Sequence, residues 1–132
     1  MTHSELAELA YGMLDKAYCP YSNFPVGAAL LCADGRVFTG CNVENAAYGS
    51  AICAERTALV KAVSEGAREF VSLAVVGKSE DYCWPCGSCR QMLREFAPHL
   101  EIVVGNSKKE LVVTTLAELL PHSFGPESLT TG

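Results

Sequence analysis

Apolar positions recur at helical spacing in some stretches of this chain and run almost unbroken in others, and the changes between the two predict its elements. Leu6, Leu9, Ala10, Met13, Leu14 and Ala17 fall on one stripe and predict an amphipathic first helix that Pro20 stops. Thr2 and Glu5 have the spacing of a capping box at its start. Residues 26–32 are nearly all apolar and predict a buried strand. The turn residues Ala33-Asp34-Gly35-Arg36 then send residues 37–41 back as its hairpin partner. Residues 42–50 are polar or small, the composition of a loop that carries function. A helical pattern covers 51–63, with Gly66 just past its end. Residues 70–76 predict another buried strand, 77–84 a loop, and 86–96 a helix that Pro98 closes. Strands follow at 101–104 and 111–114, around the turn Gly105-Asn106-Ser107. Thr115 and Glu118 repeat the capping-box spacing and open a last short helix that Pro121 breaks. The tail beyond it shows no pattern.

Strands interleaved with helices predict the α/β class, one sheet covered by helices on its faces. The helices that open near 51 and 86 each follow a strand. Their N-termini are therefore expected to converge at one edge of the sheet, where open α/β sheets place ligands. At 132 residues the chain reads as one domain, 1–132, long enough for a real core and too short for two. Hydrophobic residues make up 49% of it, yet no run reaches the length of a membrane span. So apolar a composition in so small a domain predicts an oligomer interface that hides part of it. The net charge is −5, and the 10 Lys and Arg are scattered, with only Lys108 and Lys109 adjacent. That pattern argues against a nucleic-acid partner. The first residues lack the charged and apolar regions of an export signal. The 7 cysteines then read as metal ligands and small buried hydrophobes in a reducing cytoplasm, not as a disulfide framework.

Two short stretches concentrate the chemistry: Cys53-Ala54-Glu55-Arg56 and Pro85-Cys86-Gly87-Ser88-Cys89-Arg90. Each opens a predicted helix, and the Cys-x-x-Cys pair puts two thiols on one face of a first turn. Three thiolates leave a zinc ion one ligand short of its tetrahedron, with a position for water. Glu55 is not needed as a ligand and is the natural proton carrier for that water. Three thiolates also overcompensate a divalent cation by one charge, which opposes activation of the water. Helix N-termini and the guanidinium groups of Arg56 and Arg90 are the available counterweights. Two other readings use the same cysteines. Cys83 could close an inert four-thiolate site with Cys53, Cys86 and Cys89, or Cys86 and Cys89 could form a redox pair. Trp84-Pro85 stiffens the segment between Cys83 and Cys86, and a closed site gives no use for Glu55 and Arg56. The open three-sulfur site is therefore preferred.

With Gly40-Cys41-Asn42-Val43-Glu44-Asn45 upstream, these motifs closely resemble the small homotetrameric zinc-dependent cytidine deaminases, over about residues 18–96. Cysteine at position 53 departs from the His-x-Glu form usual in deaminases of polynucleotides. The resemblance implies a three-layer αβα sandwich with a central mixed sheet. It implies one Zn2+ per chain on Cys53, Cys86 and Cys89, with Glu55 shuttling protons as cytidine or deoxycytidine is hydrolysed to the uridine and ammonia in pyrimidine salvage. Asn42 and Glu44 match the pair that holds the ribose hydroxyl, and an amide with a carboxylate two residues on suits a sugar diol. Phe24 matches the aromatic beside the pyrimidine, and Ala54 matches a substrate-binding position. Ala46 and Tyr48 match positions that reach substrate, in part from a neighbouring subunit. Phe124 resembles a tail aromatic that covers a neighbour's pocket. The implied partners are thus a small pyrimidine nucleoside and three further copies of the chain, with no nucleic acid and no membrane. The rival readings are the same chemistry on another aminopyrimidine, such as a blasticidin-type antibiotic, and a non-catalytic zinc module. Cys83-Trp84 is no requirement of the family and has no role here beyond packing. His122 and residues 127–132 follow no motif.

Overall fold

The apolar run becomes β1 (Val26–Cys32), and Gly35, at a φ of +93° that favours glycine, turns the chain back as β2 (Val37–Cys41). The structure is a computed structural model that describes residues 1–130, so the last two residues of the patternless tail lie outside it. Three more strands, β3 (Phe70–Gly77), β4 (Glu101–Gly105) and β5 (Leu111–Thr115), complete one sheet in the order β2-β1-β3-β4-β5. Only β3 and β4 pair in parallel, so the sheet is mixed.

Successive side chains of a strand point to opposite faces, and both faces here are covered. Ala29, Ala74, Val76 and Val103 meet Leu6 and Ala10 of α1 (His3–Tyr11) on one side. Ala28, Leu30, Leu73, Val75, Ile102 and Val104 meet Ala58 and Leu59 of α2 (Ala54–Ser64) and Leu93 of α3 (Gly87–Arg94) on the other. Two-sided burial is why the strands read as continuous apolar runs and not as alternating ones. The architecture is the three-layer αβα sandwich around a mixed sheet.

The ends of several elements differ from the periodicity. α1 stops at Tyr11, and residues Leu14–Lys16 tighten into a 3-10 turn well before Pro20. Leu9 is exposed, while Leu6, Ala7 and Ala10 are buried. The cause is contact with β1: a Cβ on Gly27 would stand 2.0 Å from the Ala10 carbonyl oxygen. That approach turns the small Ala7–Ala10 side of the helix inward. The capping box at Thr2 and Glu5 forms in full. At Thr115 only half of one forms, because the Glu118 carboxylate accepts the Thr114 hydroxyl instead. It opens α4 (Leu116–Leu119), and the tail adds α5 (Glu127–Thr130), which the sequence pattern did not announce.

The register positions the site. Val26 pairs with Gly77, Gly27 with Cys41 and Val76 with Gly105. The ends of β2, β3 and β4 and the start of β1 therefore share one end of the sheet, and α2 and α3 both begin there.

Candidate active site

Cys53 is the N-cap of α2 and Cys86 the N-cap of α3, both with extended backbone and neither using its side chain to cap. Their sulfurs are left for another purpose. They lie 3.8 Å apart, Cys86 Sγ lies 3.3 Å from Cys89 Sγ, and all three fall within 4.8 Å of one another. A tetrahedral zinc ion with Zn–S bonds of ~2.3 Å holds its sulfurs ~3.8 Å apart, so this donor set fits that ion. Among the described residues no fourth His, Cys, Asp or Glu joins the group, and Cys83 stands outside it. Cys83 instead packs against the core, where burial pushes its thiol up to about 11. Cys53 is drawn the other way, to about 6, first by hydrogen bonding with Cys89, then with Cys86, and by the charge of Arg56. Cys89, sharing that proton and buried, is pushed up.

Glu55 follows within the first turn of α2. Its side chain is 4% exposed, and burial raises its carboxyl from an ordinary 4.5 to about 7, with a smaller upward push from Cys53. Tight packing of α2 on β2 sets its depth. A Cβ on Gly40 would lie 2.4 Å from the Ala54 carbonyl oxygen and 2.6 Å from the Ala58 nitrogen, and the Thr57 hydroxyl donates to the Cys41 carbonyl at 3.0 Å.

A cleft of about 310 Å3 opens above these groups. Phe24, Asn42, Glu44, Cys53, Ala54, Glu55 and Cys86 line it, so most of the predicted site residues are brought together. Asn42 and Glu44 are more engaged than their spacing implied. Asn42 Oδ1 accepts the Val26 N–H at 2.8 Å and its Nδ2 donates to the Phe24 carbonyl at 2.9 Å. Glu44 Oε1 accepts the N–H groups of Tyr21 and Ser22 at 3.0 and 3.1 Å, and Oε2 accepts the Ser22 hydroxyl. Those bonds, the Ser22 hydroxyl foremost, hold the Glu44 carboxyl below its usual range. The two side chains thus shape the loop over 21–26 as well as facing the cleft.

Other predicted residues lie elsewhere. Tyr48, 76% exposed, meets Tyr21 edge-on at 5.9 Å and lines an adjoining cleft that shares Ser22 and Glu44. Ala46 is exposed on the same loop and lines neither cleft. Phe124, 57% exposed, is outside the cleft of its own chain. Its carbonyl takes a hydrogen bond from Gln91 at 2.9 Å, and Arg94 holds Ser123 at 2.6 Å and pairs with Glu127. Arg56 is half-buried beside Cys53 and Glu55, and its charge lowers both. Arg90 is a correction: its Nε donates to the Pro85 carbonyl at 2.7 Å and its Nη1 to the Leu119 carbonyl at 2.8 Å, not to the sulfurs. One acceptor belongs to the loop before α3 and the other to the last residue of α4, and both carbonyls draw the guanidinium. Sequence reasoning missed Ser22 and gave Trp84 only packing, yet both line the cleft. The one local signal for Trp84 was its place two residues before Cys86, one of the three grouped sulfurs.

A layered α/β domain with a three-sulfur metal site and a buried carboxyl beside it is the architecture of the zinc-site deaminases that act on pyrimidine rings. The family described as "Cytidine and deoxycytidylate deaminase zinc-binding region" matches residues 1–106. Cytidine deaminase of Sporosarcina psychrophila is 51% identical over 116 residues, 87% of this chain and 85% of that protein. That of Halalkalibacterium halodurans is 45% identical over 98% of both. The crystal structure of cytidine deaminase from Burkholderia pseudomallei superposes with a TM-score of 0.91 at 52% identity, covering 94% of this chain and 100% of that one. This chain belongs to the cytidine deaminase family.

Proposed function

We propose that this chain is a zinc-dependent cytidine deaminase that hydrolyses cytidine and deoxycytidine to the uridines and ammonia. The observation that carries the reading is Glu55, buried, poised near neutrality and lining the same cleft as Cys53 and Cys86. Cys53, Cys86 and Cys89 would hold the metal, and zinc there supplies Lewis-acid activation of water at neutral pH. Glu55 accepts the proton of the attacking water and delivers it to ring nitrogen N3, which makes C4 electrophilic. The same carboxyl takes the second proton of the water once C4–O has formed and passes it to the departing amino group. One water is consumed and one ammonia released. A carboxyl with an ordinary pKa would be a weak acid catalyst at pH 7, and burial corrects that.

Arg56 and the N-termini of α2 and α3 offset the surplus thiolate charge. Arg90 serves by fixing the start of α3 against α4. Asn42 and Glu44 hold the ribose with the hydrogen-bonding capacity that their loop bonds leave over, since each has unfilled positions. Phe24 flanks the base and Ala54 floors the cleft. The working form is a homotetramer in which Ala46, Tyr48 and Phe124 complete a neighbour's pocket. Exposed aromatics that stand outside the cleft of their own chain support this. The thiol chemistry suits the reducing cytoplasm. No described helix is long and apolar enough to cross a membrane.

Loss of cytidine absorbance, measured before and after removal of metal by a strong chelator, tests the proposal. Turnover should vanish with the metal and return with added Zn2+. Full turnover in protein shown to be zinc-free, or none in the zinc-loaded protein, would overturn it.

A further inference from the structure

We infer that Trp84 contacts the base in this cleft and sets which cytosines are admitted, an inference that rests on the deaminase reading above. It is the 1 tryptophan of the chain, it stays 42% exposed, and it lines the cleft. A tryptophan that serves packing alone is normally driven inward. Here the flanking residues go inward instead: Pro85 is buried, and Tyr82 and Cys83 pack against the core.

The indole is held in place. The Tyr82 ring lies 6.1 Å away, tilted by 56°. Just after it, the Pro85 carbonyl is fixed by Arg90 at 2.7 Å. Just before it, the turn between β4 and β5 pins the loop, with Ser107 N–H donating to the Ser79 carbonyl at 2.8 Å and Asn106 Nδ2 to the Glu80 carbonyl at 3.2 Å. A rigid exposed aromatic costs little further entropy when a ring stacks on it.

Its place in the cleft defines its task. Trp84 precedes Cys86 by two residues, and the Phe24 ring comes near its other neighbour, since a Cβ on Gly77 would stand 3.5 Å from Cys83 Cβ and 3.8 Å from Phe24 Cε1. A pyrimidine that presents C4 to Glu55 within this cleft is bounded by the two aromatic side chains that line it, Phe24 and Trp84. The largest side chain of the lining then offers the ring a stacking surface and limits the substituents it can carry there.

The zinc-loaded protein provides the test, because its tryptophan emission comes from the cleft alone. Titration with uridine should change that emission saturably, with a midpoint equal to the constant for uridine inhibition of cytidine turnover. Unchanged emission at saturating uridine would overturn the inference. Trp84→Ala should raise KM for cytidine about tenfold, the factor that ~1.4 kcal/mol of base stacking represents, while retaining its zinc. It should also raise kcat/KM for 5-methylcytidine relative to cytidine by about tenfold, with Trp84→Phe between the two. A purely structural role would lower both substrates alike, and an unchanged ratio refutes the specificity role. Absence of cytidine turnover in the zinc-loaded parent would be the distinct failure of the deaminase reading itself.

Discussion

Glu55→Gln separates the chemistry of the buried carboxyl from its cost to the fold. The side chain is 4% exposed and its pKa rises from 4.5 to about 7, mainly because burial disfavours the charged form. In the unfolded chain the proton leaves near the ordinary value; in the folded chain it stays on until about neutrality. Between those values the folded state binds more protons than the unfolded one, so stability falls as pH rises and the loss is complete above pH 7. The gap between the two pKa values is worth roughly 3 kcal/mol. Gln keeps the shape and never ionises. In the chelated, thiol-reduced protein, Glu55→Gln should therefore exceed the parent in stability by up to ~3 kcal/mol at pH 8, a midpoint shift on the order of 10 °C. The advantage should close toward zero near pH 5. Zinc favours the carboxylate and should narrow the difference in the loaded form. Thermal unfolding of both proteins across this pH range measures the effect, and cytidine turnover of the zinc-loaded pair measures the chemistry. Turnover should drop ~10²–10⁴-fold, the usual contribution of a general acid–base. Equal stabilities at pH 8 would refute the claim that burial holds the proton, and near-normal turnover would refute its use.

Cys83→Ser should leave the zinc content at about one ion per chain, measured by atomic absorption, because Cys83 lies outside the sulfur group; loss of metal would restore the closed-site reading. Gly40→Ala forces a Cβ to within 2.4 Å of the Ala54 carbonyl. It should cost ~1–3 kcal/mol of stability in urea unfolding and lower zinc occupancy with it, since α2 carries Cys53. Light scattering at assay concentration should give a homotetramer, and Phe124→Ala should lower its activity without dissociating it. A monomer of undiminished specific activity would end the shared-pocket proposal and leave the zinc chemistry standing.

The strands were legible because burial on both faces leaves no polar alternation to misread, as in Val26–Cys32 and Phe70–Gly77. The sulfur group and Glu55 were legible because residue type and spacing within one helical turn already dictate neighbours. What was hidden is set by pairs far apart in sequence. Period alone carried α1 on through Met13 and Leu14, since nothing local reveals that Gly27 draws Ala10 onto the sheet. Glu44 and Ser22 are 22 residues apart, and Arg90 and Leu119 are 29 apart. No local pattern could have shown that the first pair builds the loop beside the cleft, or that the second takes a guanidinium away from the sulfurs.

The topology explains why the sulfurs of two motifs separated by 33 residues meet. β2 and β3 are not neighbours; β1 runs between them, antiparallel to both. They therefore point the same way, and the helices that follow them start at the same end, two strand spacings or ~10 Å apart. Sulfurs 3.8 Å apart require both helix starts to lean inward over the beginning of β1. Gly40 allows this for α2 by admitting its backbone against β2, and Arg90 does it for α3 by tying Pro85 to α4. The loop before β1 enters at that same point. Asn42, the first residue past β2, bonds to both sides of that entry, at Phe24 and Val26. Asn42 and Phe24, which both line the cleft, are thereby anchored to the backbone that the sulfurs lean over. A shift of β1 by one register position would part the cleft walls from its floor, so the strand's register fixes the relation of the sulfur group to Asn42 and Phe24.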